Sequence, residues 1–251
     1  MTSNDLELFA SGDRDADARQ SVRHVLMASG LSLALWFVPY VGLVLYPIRL
    51  FVTYVHEICH ALAAVVTLGS ALEIEIFADA SGLTYTLGGI GLVVSSAGYV
   101  GTPLVGATLL LLSARRRMVR PTLAAVGGVL VVAAILLGGN WLAWLAGAGL
   151  GATLVALGLK ASAGTARFAL SFLAIQCMLN ALWDLKSLLW LSLASPVATD
   201  ARNMAEATGG LVPAPVWTVL WAGIALAILA IAIHNYYSLT VRRPRGAGQP
   251  S

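Results

Sequence analysis

The sequence reads as an all-α, polytopic membrane protein with about seven transmembrane helices and one small β-hairpin. Of its 251 residues 59% are apolar and only 11% charged, a balance foreign to a water-soluble domain. The apolar residues arrive in blocks about as long as a bilayer is thick, which takes ~20 helical residues. Charged residues gather at the chain ends and in a few short connections. The formal charge of +3 therefore speaks for membrane orientation and against nucleic-acid binding.

The blocks fall at residues 25–46, 48–69, 90–113, 122–139, 141–159, 166–190 and 215–237. Before them, Asp5, Glu7, Asp13, Asp15 and Asp17 alternate with Arg14, Arg19 and Arg23 and leave no apolar face, so residues 1–24 are expected to be a solvated tail. The first block follows acidic sequence and lacks a small-x-small cleavage site, so it reads as a retained span. Residues 25–238 form the membrane-embedded domain, and 239–251 a basic, disordered tail.

Between the second and third blocks, Leu72-Glu73-Ile74-Glu75-Ile76-Phe77 alternates, Asp79-Ala80-Ser81-Gly82 supplies a turn, and Leu83-Thr84-Tyr85-Thr86 alternates again. This is a β-hairpin, and so near the bilayer its edges must dock on protein or receive another chain. Glycines crowd the third block, where small residues let helices approach. Residues 191–214 read as a loop with one short helix capped near Thr199 or Asp200. The two cysteines, Cys59 and Cys177, lie inside apolar runs with no disulfide framework to build.

Chemistry concentrates in the second block, at His56-Glu57-Ile58-Cys59-His60. A helix advances ~100° per residue, so His56 and His60 share one face one turn apart and two imidazoles can hold one zinc ion. Glu57 stands beside them, placed to take a proton from a zinc-bound water. The bland alternative is a set of polar side chains paired inside a helix bundle. It explains little, because desolvating several ionisable groups is costly and packing needs none of them. Cys59 reads as space-filling.

A catalytic zinc needs a third protein ligand and an open position. Asp184, in the sixth block, is the only carboxylate inside an apolar block besides Glu57, and is the expected ligand. Asn180, one turn earlier on the same face, is a candidate to bond the substrate carbonyl or the developing oxyanion. Pairing of Asp184 with Lys186 is disfavoured, since positions two apart on a helix diverge. Glu73, Glu75, Asp79 and Asp200 are alternative ligands, each in a turn, strand or loop where solvation is the simpler account. His24 and His234 read as interfacial, and Arg115-Arg116-Arg117 with Arg120, and Arg242-Arg243 with Arg245, as helix ends at headgroups.

A membrane-embedded H-E-x-x-H helix, a following hairpin and a later helix bearing Asn and Asp together resemble the site-2 protease family of intramembrane zinc metallopeptidases, and most of all its bacterial M50B-like branch. The likeness runs from residue 48 to 235 and includes Thr199-Asp200-Ala201-Arg202, Thr208 to Pro213, and Trp217. It implies that His56, His60 and Asp184 bind zinc, that Glu57 is the general base or acid, and that the hairpin receives the substrate as an added strand. Better-known members place Gly after the ligand Asp, where Leu185 stands here, and Gly where Cys59 stands. With seven spans the positive-inside rule puts the hairpin outside, whereas the resemblance puts it in the cytoplasm.

The expected function is a zinc endopeptidase of the lipid bilayer, multi-pass in a bacterial cell membrane, that cuts within or beside a transmembrane segment of a substrate protein. The competing classes are a non-catalytic metal-binding membrane protein and a transporter. A transporter would spread polar residues along a path, whereas this chain concentrates them at two points. Oligomeric state is left open.

Overall fold

The computed structural model describes residues 19–31, 45–194 and 199–240. The elements run α1 (residues 19–31), α2 (Tyr46–Val66), β1 (Ser70–Ile76), β2 (Gly82–Leu87), α3 (Gly91–Ser113), α4 (Arg116–Leu137), α5 (Trp141–Lys160), α6 (Ala163–Ala194), α7 (Asp200–Ala207) and α8 (Ala214–Thr240). Among the described residues six helices, α2 to α6 and α8, are long and apolar enough to cross a membrane, one fewer than expected. Most of the first expected span, at 32–44, lies outside the described residues, as do residues 1–18, 195–198 and 241–251. Residues 19–24, assigned to the solvated tail, are instead helical, with Ser21 and His24 buried. A turn of helix can bury one face while its arginines stay in solvent.

Helix α2 carries Pro47 in its first turn, where the missing N–H would have no partner anyway. Helices α4 and α5 approach until a methyl on Gly127 would lie 2.4 Å from the Gly151 carbonyl oxygen, so only glycine fits at this crossing. Helix α3 runs through the middle and packs against α2, α6 and α8. The main core joins Phe51 and Tyr54 of α2, Ile74 and Ile76 of β1, Leu123 and Leu130 of α4, and Leu170 of α6. A second cluster seats α7: its Ala201 and Met204 bury against Leu185 and Leu188 of α6 and Trp221 of α8. Burial of a side chain such as Met204 is worth roughly 1.5–3 kcal/mol, and such seating contributes what a helix too short to stand alone lacks.

The hairpin pairs antiparallel, Ile76 opposite Gly82 and Ile74 opposite Thr84, with an irregularity between Ala71 and Glu73. Its turn takes Ala80 to φ 66° and is closed by Asp79, whose Oδ1 accepts from the Ser81 N–H at 2.9 Å and hydroxyl at 2.6 Å. The far edge of β1 is covered by the α4–α5 connection. The Gly139 N–H donates to the Ile74 carbonyl at 2.8 Å, and Asn140 Nδ2 donates to the Ile76 carbonyl at 2.9 Å. Asn140 also caps α5, its Oδ1 accepting from the Ala143 N–H at 2.8 Å, so one side chain fixes both a helix start and a strand edge. The outer edge of β2 has no strand partner among the described residues.

Candidate metal centre

Helix α2 delivers His56, Glu57 and His60 as the spacing requires. Their imidazole rings lie 4.8 Å apart, edge to face. His60 Nδ1 stands 2.7 Å from the Val94 carbonyl oxygen of α3; with the proton on Nδ1, this bond turns the Nε2 lone pair inward. His56 is held by packing: Tyr99 of α3 meets it edge to face at 4.7 Å, and Tyr99 in turn stacks on Trp221 of α8 at 4.9 Å. Trp221 Nε1 donates to Ser96 Oγ at 3.2 Å, which locks the stack to α3.

The carboxylate that meets the histidines is Asp200. Ligand atoms of His56, His60 and Asp200 all lie within 4.8 Å of one another, and Asp200 Oδ2 is 3.6 Å from His60 Nε2. Thr199 caps α7, its hydroxyl oxygen accepting from the Arg202 N–H at 3.3 Å, so Asp200 is the first helical residue and the seating of α7 aims it. Burial pushes the Asp200 carboxyl above its ordinary range, and the neighbouring His60 pulls it back.

Asp184, the expected third ligand, is not in this group. It lies exposed on α6, within electrostatic reach of Arg49. Helix α6 is 32 residues long, and Asp184 stands ~32 Å from its start, so a hydrocarbon core ~30 Å thick need not enclose it. Asn180 is half-buried on the same helix, where its Nδ2 donates to the Gln176 carbonyl at 3.0 Å and lies 3.4 Å from Gln176 Oε1. An oxyanion would have to compete for that donor. In the sequence Asp200 is an alternative ligand near a short helix start, where solvation is the simpler account, and nothing there marks Thr84, Gly98 or Tyr99 as site residues. The short helix expected near Thr199 or Asp200 is α7, and the apolar Ala201, Met204 and Ala205 on one of its faces are the sign that it docks.

The donor set suits zinc: two imidazoles and one carboxylate, the ligand types of an open catalytic site. Gly98 gives the matching space. A methyl there would fall 2.2 Å from His56 Nε2 and 2.4 Å from His60 Nε2, so the absence of a side chain keeps clear the point on which both nitrogens converge. Glu57, only 4% exposed, turns toward the hairpin, where its Oε2 accepts from the Thr84 hydroxyl at 2.7 Å.

A family model described as "Peptidase M50B-like" matches residues 7–232, nearly the whole chain. The chain belongs to this family. Membership and the six apolar helices make it an integral membrane protein of a metallopeptidase family, the site-2 protease family expected from its motifs. No curated protein and no solved structure matches the chain.

Proposed function

We propose that this M50B-like protein is a zinc-dependent endopeptidase that cuts a peptide bond within or next to a transmembrane segment of another protein. The observation that carries the reading is the convergence of His56, His60 and Asp200, from helices far apart in sequence, within electrostatic reach of the buried carboxylate of Glu57. In this reading the three residues hold the ion, with Asp200 taking the place expected of Asp184. Zinc, when bound, lowers the pKa of its water toward neutrality and polarises the scissile carbonyl. Glu57 takes the proton from the attacking water and passes it to the leaving amine.

The hairpin supplies the docking edge. Ile74 and Ile76 direct their backbone groups to residues 138–140, so Thr84 and Gly82, their partners across the ladder, direct theirs to the open side of β2. A peptide bond inside a helix is shielded by its own hydrogen bonds. Pairing with this edge would unwind the segment and bring its carbonyl alongside Glu57.

The test uses the full chain in lipid vesicles with a library of synthetic transmembrane segments, products read by mass spectrometry and zinc by elemental analysis. Wild type should hold zinc and cleave members of the library. Glu57→Gln should keep the zinc and lose cleavage by about 10²–10⁴-fold, the span of general acid–base contributions. Cleavage undiminished in Glu57→Gln, or a zinc-loaded wild type that cuts no member, contradicts the proposal.

A further inference from the structure

Strand β2 touches the Glu57 carboxylate at two residues. The Thr84 hydroxyl lies 2.7 Å from Oε2 and 3.0 Å from the Glu57 backbone carbonyl oxygen. A hydroxyl carries one proton, and the shorter, charge-assisted contact is the one to the carboxylate. At Gly82 a methyl would lie 2.7 Å from Oε1 and 2.8 Å from Cγ of the same side chain. One carboxylate oxygen is thus bonded by the strand, and beside the other the strand carries no side chain. Thr84 and Gly82 are also the residues whose backbone groups point to the open edge of β2.

We propose that Thr84 is a positioning residue that holds the Glu57 carboxylate through Oε2 and so ties the base to the strand on which substrate docks. The inference rests on the roles given above to Glu57 and to the hairpin. Glutamate has three side-chain torsions, and without an anchor its carboxylate spreads over several rotamers. Thr84 selects one. A chain pairing with β2 bonds the backbone of Thr84, ordering the residue that aligns the base, so docking and alignment are coupled through a single side chain.

The experiment compares Thr84→Val, which keeps the shape and loses the donor, with Thr84→Ser, which keeps the donor. Both are assayed as full chains on the best-cleaved segment of the library, beside wild type and Glu57→Gln, with zinc affinity and thermal unfolding measured on each. Misplacing a reacting group by ~1 Å costs on the order of 100-fold, so Thr84→Val should lower kcat by about 10- to 100-fold. Its KM should stay within about 2-fold and its zinc affinity should not move, since the strand's backbone edge and the ligands are intact. Thr84→Ser should recover kcat to within about 3-fold of wild type. Full kcat in Thr84→Val, loss in Thr84→Ser as deep as in Thr84→Val, or a loss of zinc affinity in Thr84→Val overturns the inference. These outcomes separate from failure of the wider reading: full kcat in Thr84→Val beside an inactive Glu57→Gln removes Thr84 alone, whereas an active Glu57→Gln removes the base itself.

Discussion

Replacing Gly98 by alanine adds one methyl at the centre of the candidate metal site. The new carbon would sit 2.2 Å from His56 Nε2, 2.5 Å from His56 Cε1 and 2.4 Å from His60 Nε2. Non-bonded atoms prefer about 3.5 Å, so more than 1 Å of movement is needed at each ring. Neither ring is free to give it. His60 is bonded through Nδ1 to Val94, one turn earlier on the helix that carries Gly98, and His56 is flanked by Tyr99, the next residue on that helix. Shifting α3 away breaks the first contact, and rotating the rings turns both Nε2 atoms off their common point. Overpacking of this kind costs about 1–3 kcal/mol of stability. Zinc–nitrogen bonds tolerate only a few tenths of an ångström around ~2.0–2.1 Å, and disturbed ligand orientation alone lowers metal affinity about 10- to 100-fold. Gly98→Ala should therefore lose about 100-fold in zinc affinity, the upper end of that range. Gly91→Ala serves as control, because at that position on α3 nothing lies within 4 Å. Chelator competition against zinc, with thermal unfolding to establish folding, is the assay. A folded Gly98→Ala chain binding zinc like wild type would refute the claim that this glycine keeps the ion's position clear.

Asn140→Ala removes a helix cap and the clamp on β1 together, so it should destabilise the protein by about 1–2 kcal/mol and raise hydrogen exchange at the Ile76 and Ala143 amides, both of which donate to Asn140 Oδ1. Unchanged exchange at both amides would count against the clamp. The turn should respond to acid. Hydrogen bonds from the Ser81 side chain and backbone hold the Asp79 carboxyl below its usual range. A depressed folded-state pKa contributes stability above the unfolded value, about 3.9, and loses it as pH falls through the folded value. Amide protection at Ser81 should accordingly decline below about pH 4 in wild type and stay level across that window in Asp79→Asn. A decline of equal size in both would remove Asp79 as the cause.

Local features were legible in the sequence because local physics writes them. The spacing of His56 and His60 needs only helical geometry, and alternation about the Asp79–Gly82 turn needs only the two-residue period of a strand. The membrane helices follow from apolar length, and the observed bounds of α3 and α5 fall within a residue of those read from the sequence. The third carboxylate was different. Asp184 stood out because ionisable groups are costly in a span, yet α6 overruns the bilayer thickness and that cost need not arise. Asp200 looked like an ordinary acidic residue at a helix start, where the dipole favours it. Its place beside His60 depends on the seating of Ala201 and Met204 against α6 and α8, a contact between distant segments that no local pattern reports. Gly98 was hidden in the same way, as one small residue among several in a helix whose glycines serve packing.

The most direct test of the account is zinc stoichiometry and affinity in the purified full chain, compared across wild type, Asp200→Asn and Asp184→Asn. Wild type should hold one zinc per chain, Asp184→Asn should bind it with near-wild-type affinity, and Asp200→Asn should lose at least about 10-fold, since disturbing even a residue that only orients a ligand costs about 10- to 100-fold. Zinc retained in full by Asp200→Asn and lost by Asp184→Asn would contradict the account.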